Sequence, residues 1–167
     1  MRLLAGAQGI AGGGVVELAE PDGVAGLGGQ ISTVDGFISV EGIAGGNGVS
    51  GSQGINLGNL TSIGSAASAT IQLLTDSLDL APNSFVSTAG ALVLSPHTAT
   101  GIGIDLGSDD TATALGLGEL ELDRIDVTTL VLDAFDEQIR LTAAVDFTSG
   151  IGSVDKAVLF SGNGVTQ

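Results

Sequence analysis

The sequence contains no cysteine, no tryptophan and no tyrosine, and it has five phenylalanines, three prolines and one histidine among 167 residues. The lack of cysteine excludes disulfides, thiolate metal sites and cysteine nucleophiles. The single histidine, His97, lies in the sequence Ser-Pro-His-Thr, which predicts a solvated corner. Neither a zinc centre nor a Ser-His-Asp triad can be recognised around it. We therefore expect no enzymatic activity, no cofactor and no resident metal.

Basic residues are also scarce. Four Lys and Arg residues stand against 19 Asp and Glu residues, so the formal net charge is -15. Nucleic acids and anionic membranes are bound through clustered basic side chains, so we expect neither as a partner. No apolar run reaches the roughly 18 residues that indicate a membrane span, so we also expect no membrane insertion.

Glycine and aliphatic residues dominate what is present. Glycine fills 28 positions, and 43% of the residues are hydrophobic, mostly Leu, Ile, Val and Ala. Helical periodicity rarely survives two turns, whereas short alternating runs bounded by turn residues are frequent. These runs are Ile38–Val40, Leu78–Leu80, Ile102–Leu106, Leu130–Leu132, Ile139–Leu141, Val145–Phe147 and Val158–Phe160. The pattern predicts an all-β protein, either a β-solenoid, a sandwich or a barrel.

An internal similarity favours the solenoid. Residues 31–40 and 86–94 both read as an apolar residue, Ser-Thr, a glycine-containing turn and an alternating strand. Stacked coils produce such repetition, and the lack of large aromatic residues suits a narrow interior better than a sandwich. We predict parallel strands whose inward residues include Leu78, Leu80, Leu92, Leu94, Leu130, Leu132, Ile139 and Leu141.

No linker divides the chain, so we interpret residues 1–167 as a single β-solenoid repeat region, a piece of a longer array. The first nine residues resemble a signal peptide only weakly, because the apolar stretch is short and rich in glycine. Neither end carries an obvious capping repeat. We therefore expect the isolated chain to be marginally stable, or to associate with itself through its open ends.

The segment from Ser77 to Phe147 resembles a known family. Its order is Ile104-Asp105-Leu106-Gly107, then Leu120-Glu121-Leu122-Asp123-Arg124-Ile125, then Thr129-Leu130-Val131-Leu132. This order is similar to the tandem repeats of large bacterial exported proteins of the filamentous-haemagglutinin type. The resemblance implies a right-handed parallel β-helix, secreted or displayed on the Gram-negative surface, with a role in adhesion, biofilm or contact between cells. The Glu121–Ile125 block is its most specific part.

Two positions depart from the family pattern. Gly118 stands where the family commonly has Ser or Thr, so the capping box of the following helical turn keeps Glu121 but loses its first half. Glycine is still an acceptable N-cap, so we expect the turn to form in a weakened version. Asp133 replaces the glycine that usually follows the Thr-Leu-x-Ile strand, which predicts a different bend there.

Together these observations predict a structural or adhesive repeat segment that acts as a rigid spacer or binding surface, located outside the cell or on the bacterial outer surface. Its partners would be unspecified receptors or glycans on host or neighbouring cells. A β-helical carbohydrate-active enzyme domain and a calcium-dependent binding module remain alternatives.

Each alternative depends on particular residues. The calcium module would use two acidic loops, which contain Asp105, Asp109, Asp110, Asp133, Asp136 and Glu137, because Ca²⁺ prefers hard oxygen ligands. The enzyme would use Arg124, Arg140 and Lys156, which are evenly spaced along the chain and would form one column if each coil matched that spacing. A solvated acidic surface with local ion pairs explains the same residues without a site.

Overall fold

The structure, a computed structural model, describes residues 2–4, 15–20, 24–26, 29–33, 36–42, 54–65, 67–98, 100–147 and 152–167. Most of the signal-peptide-like start lies outside these residues. The described residues form sixteen strands and one helix: β1 Arg2–Leu4, β2 Val15–Glu20, β3 Val24–Gly26, β4 Gly29–Thr33, β5 Phe37–Gly42, β6 Ile55–Leu57, β7 Thr61–Ser65, β8 Thr70–Thr75, β9 Leu78–Leu80, β10 Phe85–Ser95, β11 Gly103–Leu106, β12 Ala114–Leu117, α1 Glu119–Leu122, β13 Ile125–Asp133, β14 Ile139–Leu141, β15 Val154–Phe160 and β16 Val165–Thr166.

These strands form three sheets. The first has the order β1-β3-β6-β9, and the third has the order β12-β11-β14-β16. The second has the order β15-β13-β10-β8-β5-β2, and in it β7 also pairs with β10 and β4 pairs with β7. Every pairing between these strands is parallel. The prediction of an all-β protein with parallel strands is therefore confirmed, and an antiparallel sandwich is excluded.

Aliphatic residues of successive strands stack in columns beneath the second sheet. Ile38 is in register with Ile71, Ile71 with Leu92, and Leu92 with Leu130. All four side chains are fully buried. A parallel column of this kind, Val40–Leu73–Leu94–Leu132, lies two residues further on. Burial of each such side chain stabilises the fold by roughly 1.5–3 kcal/mol before the entropy cost.

The internal similarity arises from this stacking. Ile31 is in register with Ile63, and Ile63 with Val86, so the two similar segments occupy the same columns with one further strand between them. The number of residues between paired segments varies: three separate β4 from β5, four separate β7 from β8, two separate the halves of β10, and one separates the halves of β13. The columns are thus preserved while the corners differ, as the prediction required.

The predicted inward residues are almost all buried. Leu78, Leu80, Leu92, Leu94, Leu130, Leu132 and Ile139 are among the most deeply buried side chains in the described part of the chain. Leu141 is the exception, since it is half-buried and packs against the edge of the core. It lies in the last turns of the third sheet, where only the two-residue strand β16 follows β14.

The helical turn predicted after Gly118 is present. The Glu121 carboxylate accepts a hydrogen bond of 3.0 Å from the Gly118 N–H, which is the half of the capping box that the sequence retains. After β13, the Asp133 carboxylate accepts a bond from the Phe135 N–H, and Phe135 adopts a φ of 52°. The run Val145–Phe147 lies outside the strands, so its prediction as a strand is wrong. Within the part of the chain that the structure describes, no helix is long and apolar enough to cross a membrane.

Candidate functional site

Four carboxyl groups meet where the first and third sheets approach each other. Asp79 lies on β9, Asp109 and Asp110 lie in the loop between β11 and β12, and Glu121 lies on α1. We call these four residues the carboxylate cluster. The loop packs so closely on β12 that a Cβ on Gly116 would lie 2.2 Å from the Asp109 carbonyl carbon, so glycine is required there.

Asp110 joins two strands of different sheets. One of its carboxylate oxygens accepts a bond of 3.1 Å from the Leu78 N–H on β9, and the other accepts a bond of 2.8 Å from the Gly116 N–H on β12. These N–H groups lie at a strand edge, where unpaired donors are costly when buried. The side chain therefore replaces the backbone pairing that would otherwise link β9 to β12.

Burial shifts the protonation of two members of the carboxylate cluster. Desolvation raises the pKa of Asp110 to about 7, although its hydrogen bonds from Gly116 and Leu78 act in the opposite direction. Desolvation likewise raises the pKa of Glu121 to about 8. The hydrogen bond from the Gly118 N–H lowers this pKa, whereas the negative charges of Asp110, Asp79 and Asp109 raise it further. Near neutral pH, the cluster therefore carries less negative charge than four free carboxylates would.

The residues proposed as calcium ligands in the first loop separate into two environments. Asp109 and Asp110 belong to the carboxylate cluster, whereas Asp105 is buried on β11 and accepts a bond of 2.6 Å from the Thr142 hydroxyl. Among the described residues, no group of three or more His, Asp or Glu side chains is arranged to hold a metal ion.

The second proposed acidic loop serves backbone contacts. Asp133 accepts from the Phe135 N–H at 3.0 Å, and Glu137 accepts from the Gly101 N–H at 2.8 Å. Asp136 is exposed between them. Asp133 therefore stabilises the bend after β13, whereas Glu137 joins its own loop to the turn before β11, so the two carboxylates are not directed at one common point.

The three basic residues do not form a column. Arg124 follows α1 and its guanidinium donates to the Leu80 carbonyl on β9. Arg140 lies on β14 in the third sheet, and Lys156 lies on β15 in the second. The register pairs Lys156 with Thr129 and Arg140 with Asp105, so equal spacing along the chain does not correspond to equal positions on successive rungs.

Arg140 contributes to a small groove at the start of the third sheet. The groove has a volume of about 150 Å³, and its lining includes Gly103, Thr113, Ala114, Glu137, Gln138 and Arg140. The Gln138 side-chain oxygen accepts a bond of 2.9 Å from the Arg140 Nε. One cation and one carboxylate therefore border a groove large enough for a few water molecules or a small polar group.

His97 is less solvated than its local sequence predicts. Its Nε2 lies 2.6 Å from the Glu41 Oε1, and the imidazole side chain is only 25% exposed. The next residue, Thr98, donates to the Asp76 carboxylate through both its backbone N–H and its hydroxyl. The position as a corner is correct, but the contact with Glu41 could not be predicted because Glu41 precedes His97 by 56 residues.

No protein-family model matches this chain, and neither curated proteins nor solved structures give a match. The resemblance to the filamentous-haemagglutinin type of repeat therefore stays a prediction, which depends on residues such as Glu121–Ile125.

Proposed function

We propose that this chain is a segment of a right-handed parallel β-helix that acts as a rigid spacer and adhesive surface on an exported bacterial protein. The observation that carries the proposal is the unbroken stacking of inward aliphatic residues, such as Ile38, Ile71, Leu92 and Leu130, through successive parallel strands. Connections between parallel strands of one sheet are right-handed in about 98% of cases. Three sheets linked in this way are typical of a β-helix.

Rigidity follows from the direction of the hydrogen bonds. In parallel sheets, the bonds between rungs run along the stacking direction, and here side-chain ladders add to them. The Asn56 amide donates to the Asp79 carboxylate at 2.8 Å between β6 and β9, and Asn83 donates to Asn59 at 3.3 Å between the turns that follow these strands. A stiff, elongated scaffold is what a spacer requires.

The outer face of the second sheet supports the adhesive role. Gln72, Val93, Val131 and Val158 follow one another in register and are all half-buried on that face. A column of this kind gives a flat surface of mixed polarity, on which many weak contacts can form with a receptor or glycan of another cell. Weak contacts repeated along a surface gain affinity through effective concentration.

A display experiment tests the adhesive role. Beads that carry the chain at increasing density should bind bacterial or host cells with a steep dependence on density, whereas the free chain should compete poorly. Val131→Asp changes the outer face and should lower binding. Ala144→Asp adds the same charge at an exposed position in the loop after β14, so it should leave binding unchanged. Density-independent binding, or equal loss in both variants, would contradict the proposal.

The groove beside Arg140 is the one observation that favours the carbohydrate-active alternative. A lyase needs a cationic group near a carboxylate, and Arg140 and Glu137 border the same groove. Incubation of the chain with acidic polysaccharides and measurement of new chain ends tests this function. If product forms and disappears in Arg140→Ala but not in Lys156→Ala, the enzyme replaces the spacer as the function of this chain.

A further inference from the structure

The groove beside Arg140 lies where the strands of the third sheet begin. Because β11 pairs with β12 on one side and with β14 on the other, the start of β11 lies between the residues that precede these two strands. The Gly103 N–H donates to the Thr113 carbonyl at 2.9 Å, and the Ile104 N–H donates to the Gln138 carbonyl at 3.1 Å. These backbone bonds fix both sides of the groove.

Two glycines shape the groove in different ways. A Cβ on Gly103 would lie 2.5 Å from the Gln138 carbonyl oxygen, so a side chain there would push the neighbouring backbone away. A Cβ on Gly101 would have no such neighbour within 4 Å, and the φ of 85° at this position favours glycine. The groove is therefore narrow beside Gly103 and open beside Gly101.

Two opposite charges border the groove without pairing with each other. One oxygen of the Glu137 carboxylate accepts a hydrogen bond of 2.8 Å from the Gly101 N–H, and the Arg140 Nε donates to the Gln138 side-chain oxygen at 2.9 Å. Within the described part of the chain, neither Glu137 nor Arg140 has an ion-pair partner. Each side chain is thus anchored by one hydrogen bond and keeps further capacity, on the Arg140 Nη atoms and on the second Glu137 oxygen.

We propose that this groove binds a small free amino acid in its zwitterionic form, with the ligand carboxylate on the Arg140 guanidinium and the ligand ammonium group on the Glu137 carboxylate. A guanidinium can bind a carboxylate through two parallel hydrogen bonds, so the Nη atoms can hold the ligand while Nε stays bonded to Gln138. The proposal requires no bond to be broken. It is therefore independent of both the adhesive role and the carbohydrate-active alternative.

The net charge of the chain restricts the class of ligand. At a net charge of -15, the chain repels a ligand that carries only a carboxylate. A ligand that carries only an ammonium group has 19 acidic residues to bind and no reason to prefer this groove. A zwitterion has no net charge to be repelled, and it gains both of its ion pairs only where both signs border one groove. Electrostatic complementarity therefore favours a zwitterion at this place.

The size of the groove restricts the ligand further. Its volume of about 150 Å³ corresponds to about five water molecules of roughly 30 Å³ each. Pockets for drug-sized ligands are larger, at roughly 300–1,000 Å³. A free amino acid with a small side chain, such as glycine, alanine or serine, matches this size, whereas a peptide or a sugar chain would extend beyond the groove.

Titration of the isotope-labelled chain with glycine, followed by nuclear magnetic resonance, tests the site. The backbone N–H signals of Gly101, Gly103 and Thr113 should shift and saturate with a Kd of about 1 mM, an ordinary affinity for so small a ligand. Acetate and methylammonium each carry only one of the two charges, so each should bind about tenfold or more weakly. The absence of a saturable shift with glycine, or an equal affinity for acetate, would overturn the proposal.

Neutral variants assign the two ends of the ligand. Arg140→Gln removes the cation, and Glu137→Gln removes the negative charge but keeps an oxygen that can accept from the Gly101 N–H. Each change should weaken glycine binding about tenfold or more, with the N–H signals of the buried columns unchanged. Arg140→Lys keeps the cation and should weaken binding less than Arg140→Gln does.

Matched controls remove the same charges elsewhere. Lys156→Gln and Asp136→Asn change exposed residues outside the lining of the groove, so both variants should bind glycine as the natural chain does. If the two neutral groove variants bind glycine as tightly as the natural chain, or if these controls lose as much affinity as the groove variants, then Arg140 and Glu137 do not hold the ligand and the proposal fails.

Discussion

Glu121 and Asp110 hold protons in the folded chain at pH values where the unfolded chain has lost them. Their folded pKa values are about 8 and about 7, against ordinary values of 4.5 and 3.8. The folded state therefore binds more protons between about pH 4 and pH 8, so the free energy of unfolding falls as pH rises through this window. The stabilising contribution is complete below about pH 4 and lost above about pH 8.

We predict that Glu121→Gln flattens this dependence. Glutamine keeps an oxygen that can accept from the Gly118 N–H but cannot ionise, so the variant should be more stable than the natural chain at pH 9 and similar to it at pH 5. Urea unfolding at the two pH values measures the effect. Asp155→Asn, at an exposed position, removes the same charge and is the control for the overall negative charge. An equal gain in both variants would contradict a specific role of burial.

Leu60 stores backbone strain in an exposed turn. It adopts a φ of 62°, which side chains with a Cβ rarely tolerate, and it is 75% exposed. Leu60→Gly should relieve this strain and raise the free energy of unfolding by up to about 1 kcal/mol, since the left-handed region costs roughly 1–2 kcal/mol and glycine loses some entropy. Leu60→Ala removes the same apolar surface but keeps the Cβ, so it should give no such gain in a thermal melt.

Among the elements, β10 shows how a corner is built into one long strand. The register of its pairing with β13 shifts between Thr88 and Ala91, where the strand bends. At this bend, the Thr88 hydroxyl donates a hydrogen bond of 2.8 Å to the Ala69 carbonyl. A Cβ on Gly90 would lie 2.3 Å from the same carbonyl oxygen. The corner therefore depends on the absence of a side chain at Gly90.

We predict that Gly90→Ala destabilises the chain by about 2 kcal/mol or more, because the added methyl group must displace the neighbouring strand. Ala89→Ser changes the adjacent residue, which is exposed, and should have almost no effect. Chemical denaturation of both variants measures the difference. If Gly90→Ala has the same free energy of unfolding as the natural chain, then Gly90 does not lie as close to the Ala69 carbonyl as the structure shows.

The elements differ in how well the sequence predicts them. Short strands and their inward residues follow from alternation, and the similarity of residues 31–40 to residues 86–94 predicts the shared columns. The division into three sheets cannot be predicted from the sequence, because alternation indicates which residues face inward but not which strands are neighbours.

The carboxylate cluster is not predictable from the sequence either. Asp79 and Glu121 are distant in sequence, and the burial that raises the pKa of Glu121 exists only after folding.

At the scale of the whole molecule, the net charge of -15 opposes compaction. Salt screens repulsion between surface charges, so we predict that the melting temperature rises with sodium chloride and approaches a plateau once the Debye length falls to roughly 3 Å near 1 M. Differential scanning calorimetry at low protein concentration, where association is minimal, measures the shift. Sucrose at the same osmolality is the control for preferential exclusion. A melting temperature that is insensitive to salt would show that the acidic groups are too far apart to repel.

The corners of unequal length have a consequence for the ancestry of such chains. Three, four, two and one residues separate β4 from β5, β7 from β8, the two halves of β10 and the two halves of β13, and the buried columns stay in register in every case. Lengthening a surface loop costs little entropy, so insertions and deletions at this corner should change the free energy of unfolding less than changes in the buried columns. Two descendants of one ancestor can therefore keep every interior contact and yet lose the alignment of their sequences. The same corner is where foreign peptides can be grafted with least disturbance.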